Sequence, residues 1–67
     1  MSEILSVTVL ASSAMTADAL STACMAMQLN DALKMIEQWP EAEALIVTAG
    51  KDGDWEMHRT SGFPAAN

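Results

Sequence analysis

His58 is the only histidine in this chain of 67 residues, and it offers the clearest opportunity for acid–base chemistry. An imidazole beside a carboxylate can serve as a general base or as a pH-sensitive contact. In the β-hairpin predicted below, His58 shares a polar face with Thr48, Glu56 and Thr60. The chain offers no nucleophile that must lie beside it, so we interpret His58 as a surface residue.

Cys24 is the only cysteine and the most reactive nucleophile that the sequence contains. It lies on an apolar helical stripe with Ala23 and Met27 nearby, where a cysteine usually behaves as a small hydrophobic residue. A lone cysteine cannot form a disulfide within the monomer, and it suits a reducing compartment. We therefore expect Cys24 to be non-catalytic.

Six of the nine acidic residues form two groups that could be taken for paired catalytic acids. So small a domain offers no desolvated cleft that would drive their pKa values apart. Asp52 and Asp54 flank Gly53, but the remaining ligands of a calcium loop are absent, and the glycines form no phosphate-binding loop. We expect no catalytic residue, no cofactor-binding residue, no metal ligand and no enzymatic activity. The two groups are Glu37, Glu41 and Glu43, and Asp52, Asp54 and Glu56.

The hairpin over residues 44–60 must position His58, and its turn and its hydrophobic pattern agree on one register. A two-residue loop would pair Val47 with His58 and mix polar and apolar groups on both faces. A three-residue loop, residues 51–53 with Gly53 in the left-handed conformation, pairs Val47 with Met57. We expect a helix to cover the resulting apolar face and to bury Trp55 and Met57. That face comprises Leu45, Val47, Ala49, Trp55 and Met57, and the polar face comprises Thr48, Glu56, His58 and Thr60.

The other elements complete a β-α-β-β order. Apolar and polar residues alternate over residues 3–10, which predicts a strand. A helix is expected from an N-cap at Thr16 to about Gln38, because Pro40 disfavours helical geometry at Trp39. The prediction is a single α+β domain over residues 1–67, with one helix packed on a three-stranded, mainly antiparallel sheet and a loose tail at 61–67. The first strand pairs either with the third, giving the favoured antiparallel sheet, or with the second, giving a mixed one.

The helix carries two apolar stripes that cannot both face one sheet. Leu20 lies about 180° around the axis from Leu29 at ~100° per residue. Either Asn30 caps a second helix after a break near Gln28, or the second stripe covers something outside the monomer. The two stripes are Leu20, Ala23, Cys24 and Met27, and Met25, Ala26, Leu29, Ala32, Leu33 and Ile36.

Net charge and length limit the functional classes. Nine acidic residues against three basic ones give a formal charge of −6, which excludes direct nucleic-acid binding and attachment to an anionic membrane. An acidic surface suits a basic patch on a protein partner. The apolar run at residues 4–11 follows Glu3 rather than a basic residue and is too short to span a bilayer, so we expect a cytoplasmic protein. A chain this short gains stability by oligomerising or by binding a partner.

In size, acidity and simple α+β build, the chain resembles the small accessory proteins with which bacteriophages block host machinery, the anti-CRISPR and related anti-defence inhibitors. The resemblance implies a stoichiometric, non-enzymatic inhibitor in the host cytoplasm that occludes the basic surface of a nucleic-acid-handling protein. The alternative is a structural or assembly subunit that forms a homo-oligomer, and we expect a homodimer. The predicted partner or oligomer interface is Leu20, Cys24, Met27, Trp39, Glu37, Glu41 and Glu43.

Overall fold

The computed structural model describes residues 4–64, which form two layers. A three-stranded antiparallel sheet lies against two helices, as the α+β prediction requires. The elements in chain order are β1 (Ile4–Leu10), α1 (Ala14–Met25), α2 (Leu29–Gln38), β2 (Glu43–Ala49) and β3 (Trp55–Arg59). Within the described residues, no helix is long and apolar enough to cross a membrane.

The helical region is broken, which confirms one of the two explanations for its stripes. α1 begins after Ser13, whose hydroxyl accepts a hydrogen bond from the Thr16 amide at 3.1 Å. Thr16, the predicted cap, therefore lies in the first helical turn. α2 begins after Gln28, whose side chain makes no capping hydrogen bond, so Asn30 lies inside α2 and is not its cap. Because the helix is broken, Leu20 and Cys24 of one stripe and Ala32 and Ile36 of the other lie in the same buried cluster, whereas Met25 and Ala26, predicted on the sheet-facing stripe, are exposed.

The break also explains the strand order, which is β1-β2-β3. The prediction that β1 pairs with the third strand is wrong, and pairing with β2 does not give a mixed sheet. One crossing helix would return the chain parallel to β1, whereas two consecutive helices reverse it once more. β1 and β2 are therefore antiparallel, with Val7 opposite Ile46 and Val9 opposite Ala44.

The hairpin has the predicted register. Ala49 lies opposite Trp55 and Val47 opposite Met57. Gly53 has a φ of 82°, the left-handed conformation that this loop requires. The Gly50 amide donates to the Asp54 carbonyl and closes the loop.

The prediction of which face of the sheet the helices cover is wrong. They cover Ala44, Ile46 and Thr48, which are 0–2% exposed, whereas Trp55 is 75% and Met57 68% exposed. β2 is apolar on both sides, so the hairpin alone does not determine the covered side. Val7 and Val9 of β1 partly bury their side chains on the Ile46 side and extend that surface, and the core forms there.

Candidate binding groove on the helical layer

An apolar groove of about 440 Å³ lies on the helical layer, where α1 meets the end of α2. Ala19 and Ala23 are four residues apart on α1 and therefore lie on one helical face. Their small side chains leave the space that larger residues enclose. The lining residues are Met15, Thr16, Ala19, Leu20, Ala23, Met35 and Trp39.

Trp39 forms a wall of this groove because the chain leaves helical geometry at that residue. Its backbone is extended, with φ −88° and ψ 127°, and its amide donates to the Ile36 carbonyl at 3.1 Å. The indole is 47% exposed. Trp39 was named in the predicted partner interface, and the structure places it beside α1 as part of the groove lining.

The groove is almost without polar groups. Thr16 is the one polar residue in its lining, and its hydroxyl oxygen accepts a hydrogen bond from Ser13 Oγ at 2.9 Å. Within residues 4–64, no charged side chain lines it. Such a surface suits an apolar, flat group and gives no direct ion pair to a phosphate. Leu20 and Trp39 of this lining were in the predicted interface, whereas Met15, Ala19 and Met35 were not singled out from the sequence.

Leu20 and Cys24 belong to the core of the monomer, which corrects the expectation that their stripe faces outward. Leu20 is 4% exposed and Cys24 is fully buried, and Met27 packs partly buried against the same cluster. Burial raises the pKa of the Cys24 thiol, because the thiolate would lose its hydration. The thiol is therefore neutral at pH 7 and is a poor nucleophile.

Two of the predicted interface carboxylates hold the segment that follows β3. Glu37 accepts hydrogen bonds from the Ser61 amide at 3.2 Å and from its hydroxyl at 3.4 Å. Glu43 accepts from the Thr60 hydroxyl and, at 3.1 Å, from the Gly62 amide.

The predicted loose tail is therefore fastened over residues 61–62, and residues 65–67 lie outside the described part. Phe63 is half-buried and lines a hollow with Leu45 and Met57. Glu41, the third carboxylate of the group, is exposed, and its φ of 60° places it in the left-handed region.

His58 lies on the same side of the sheet as Thr48, with 3.1 Å between Thr48 Oγ1 and His58 Nε2. Glu56 Oε1 is 3.9 Å from the same ring nitrogen. These are the neighbours predicted from the register. Within residues 4–64 there is no group of three or more histidine, cysteine or acidic side chains placed to hold a metal ion. The absence of catalytic residues from this chain stays a prediction.

Comparison with known protein families identifies this chain's relationship. A family model described as the ApbE family matches residues 1–46, which is 46 of the 67 residues. Members of that family are flavin transferases, of the FAD:protein FMN transferase type, and the match is fragmentary. Neither the curated proteins nor the solved structures include a significant match to the chain. The matched segment contains β1, both helices and every residue that lines the groove.

This match overturns three expectations. The resemblance to anti-CRISPR and other anti-defence proteins is wrong, and so are the predictions of a non-enzymatic inhibitor and of a chain without enzymatic activity, because members of the matched family are flavin transferases. Those predictions depended on size, acidity and element order, which unrelated small proteins share. No motif supported them, and the absence of a catalytic constellation from 67 residues did not exclude membership in an enzyme family.

Proposed function

Since the chain belongs to the ApbE family, we propose that it acts in flavin transfer and that its helical groove holds the isoalloxazine ring of the flavin. The family's reaction moves FMN from FAD to a protein. FAD is then cleaved between its two phosphates, the FMN phosphate bonds to the acceptor group, and AMP leaves. The observation that carries the proposal is that the whole groove lies within the family-matched residues.

The size and chemistry of the groove suit a flavin ring. Its volume of about 440 Å³ falls within the ~300–1,000 Å³ that is typical of small-molecule sites. The half-exposed Trp39 indole presents a face on which a planar aromatic ring can stack. Met15 and Met35 add polarizable thioethers, which make favourable contacts with aromatic rings.

The rest of the flavin must lie outside the groove. The described part of the lining contains no charged side chain, and the chain carries a net charge of −6, so the phosphates of FMN and FAD gain no favourable interaction there. This chain's part in the reaction is to hold the ring while the reacting phosphates remain accessible. The proposal therefore predicts similar affinities for riboflavin, FMN and FAD.

Titration of each flavin with the full chain tests the proposal, because stacking on an indole quenches flavin fluorescence. Trp39→Leu should reduce the quenching of flavin fluorescence at least tenfold. The matched variant Trp55→Leu lies on the opposite side of the sheet and should leave the quenching unchanged. AMP should not compete. Equal losses in the two variants, or competition by AMP, would contradict binding of the ring in this groove.

Filling the groove provides a second measurement that preserves Trp39. Ala19→Leu keeps a strong helix former at an exposed position and places a larger side chain in the groove. We expect it to abolish flavin binding without lowering the melting temperature. Ala26→Leu, at an exposed position outside the groove, is the control and should bind flavin like the unmodified chain.

A further inference from the structure

The sheet face opposite the helices, which we name the open face, carries a row of apolar side chains. They are Leu5, Leu45, Val47, Trp55 and Met57, with Leu5 45% exposed. We propose that two copies of this chain associate through their open faces, forming a helix–sheet–sheet–helix dimer. This inference goes beyond the proposed function and does not depend on it.

The composition of β2 indicates that both faces of this sheet are covered. Ala44 and Ile46 face the helices, and Leu45 and Val47 point to the open face. Strands that are buried on both sides have such nearly continuous apolar runs, whereas strands with one solvated face alternate. Large contiguous apolar patches on a monomer usually mark interaction sites.

The charge distribution favours a second copy as the occupant. Arg59 is the one charged side chain on the central rows of the open face, and Glu43 at its end is engaged with Thr60 and Gly62. The acidic side chains of the helices lie on the far side of each copy. Two sheets packed about 10 Å apart would separate these acidic layers by more than the Debye length of ~8 Å. A basic partner protein would instead be drawn to the helical layer.

The open face also has matching projections and hollows. Trp55, which is 75% exposed, forms one wall of a hollow of about 270 Å³, and Leu5, Ser6 and Val47 form the rest of its lining. In a two-fold dimer the same residues meet from both sides, so the indole of each copy can enter the hollow of the other. Buried aromatic anchors of this kind contribute much of the affinity of small interfaces.

The small area of the open face limits the affinity of the proposed dimer. Three strands of seven residues or fewer span roughly 14 by 23 Å, on the order of 300 Å² in projection. This is less than the ~800 Å² per partner of a standard stable interface. The proposed dimer is therefore weak and reversible, and it should form only at high protein concentration.

Sedimentation equilibrium of the full chain between 1 µM and 1 mM tests the proposal. The unmodified chain should pass from monomer to dimer, and Trp55→Lys should raise the dissociation constant at least tenfold. The matched control, Met15→Lys, replaces a residue that is 83% exposed on the helical layer and should leave the dimer unchanged. Circular dichroism at the lowest concentration verifies that each variant is folded.

Met57→Lys serves as the second variant if Trp55→Lys does not fold, and it should have the same effect. A chain that stays monomeric at 1 mM would overturn the proposal. This outcome is also the one expected if a different polypeptide, rather than a second copy, covers the open face. A dimer that Met15→Lys disrupts as strongly as Trp55→Lys would place the contact on the helical layer and would also overturn it. Flavin titration reports on Trp39 instead, so the two proposals can fail separately.

Discussion

The two faces of the sheet are similarly apolar, yet only one of them is the core of the monomer. On the helix-covered face, Thr48 and Thr60 are buried with hydrogen-bonded hydroxyls, next to the fully buried Ile46. The open face has more large apolar side chains, including Trp55 and Met57. The comparison teaches that counting apolar residues identifies the wrong face here, because buried polar groups with partners are part of the core.

Adjacent residues of β2 provide the sharpest test of this difference. Ile46→Ala should lower the free energy of unfolding by about 2–4 kcal/mol, because it removes a fully buried side chain and leaves a cavity. Val47→Ala, one residue away on the open face, should lower it by less than about 1 kcal/mol. Urea unfolding at micromolar protein concentration measures both values. Equal losses would mean that the helices do not select one face.

Thr60 tests whether polar groups stabilise the covered face. Its hydroxyl accepts a hydrogen bond from the Ala44 amide at 2.9 Å and donates to Glu43. Thr60→Val keeps the shape but leaves that buried amide without its partner, which should cost about 1–3 kcal/mol. Thr8→Val, at an exposed position of β1, should change stability by less than about 0.5 kcal/mol. A Thr60 variant as stable as the Thr8 variant would contradict this role.

Gly53 tests the turn that determines which residues face each side. Its φ is 82°, and a Cβ added there would meet no atom within 4 Å, so any penalty arises from the backbone alone. Gly53→Val should destabilise the protein by about 1 kcal/mol or more, because a β-branched residue tolerates positive φ poorly. Gly53→Asn should cost less, since asparagine adopts this conformation more readily. Thermal unfolding distinguishes the two, and unchanged melting temperatures for both would contradict the loop geometry.

The sequence predicted those features that depend on neighbouring residues. The hairpin register follows from Gly53 and the alternation around it, and a helix break near Gln28 was one of the two explanations that the stripes allowed. The covered face was not predictable in the same way, because β2 is apolar on both sides and the choice depends on where α1 and α2 pack. The identity of the helix caps also failed, since Ser13 rather than Thr16 supplies the capping oxygen.

Neither the groove nor the family could be predicted from local sequence patterns, and the reasons differ. The groove exists only where Trp39, after α2, approaches Ala19 and Ala23 of α1, which are distant in sequence. Its α1 residues have no unusual spacing that would distinguish them from core positions. Family membership depends on the order of all matched residues over 1–46, and composition does not retain that order.

The smallest expected effect is the pH dependence of stability that comes from Cys24, and it tests whether water is excluded from the helix-covered face. Burial raises the pKa of this thiol in the folded chain above the unfolded value of about 8.5. The unfolded chain therefore loses its proton first as pH rises. The neutral thiol's contribution to stability is fully present below pH ~8.5 and is lost as pH rises through the folded pKa, by at most ~1.4 kcal/mol per pH unit.

Urea unfolding of the reduced protein from pH 7 to 10 measures this dependence, and Cys24→Ala supplies the control. The variant should be less stable than the unmodified chain at pH 7, because it leaves a small cavity beside Ile36 and Leu20 in the same buried cluster. The difference between the two proteins should shrink above pH ~8.5, since only the unmodified chain has a thiol to ionise. Other titrating groups are common to both proteins and cancel in that difference. If the two proteins instead lose stability in parallel over the whole pH range, water reaches Cys24. The helix-covered face would then not exclude water from the centre of the core, as the comparison of the two faces requires.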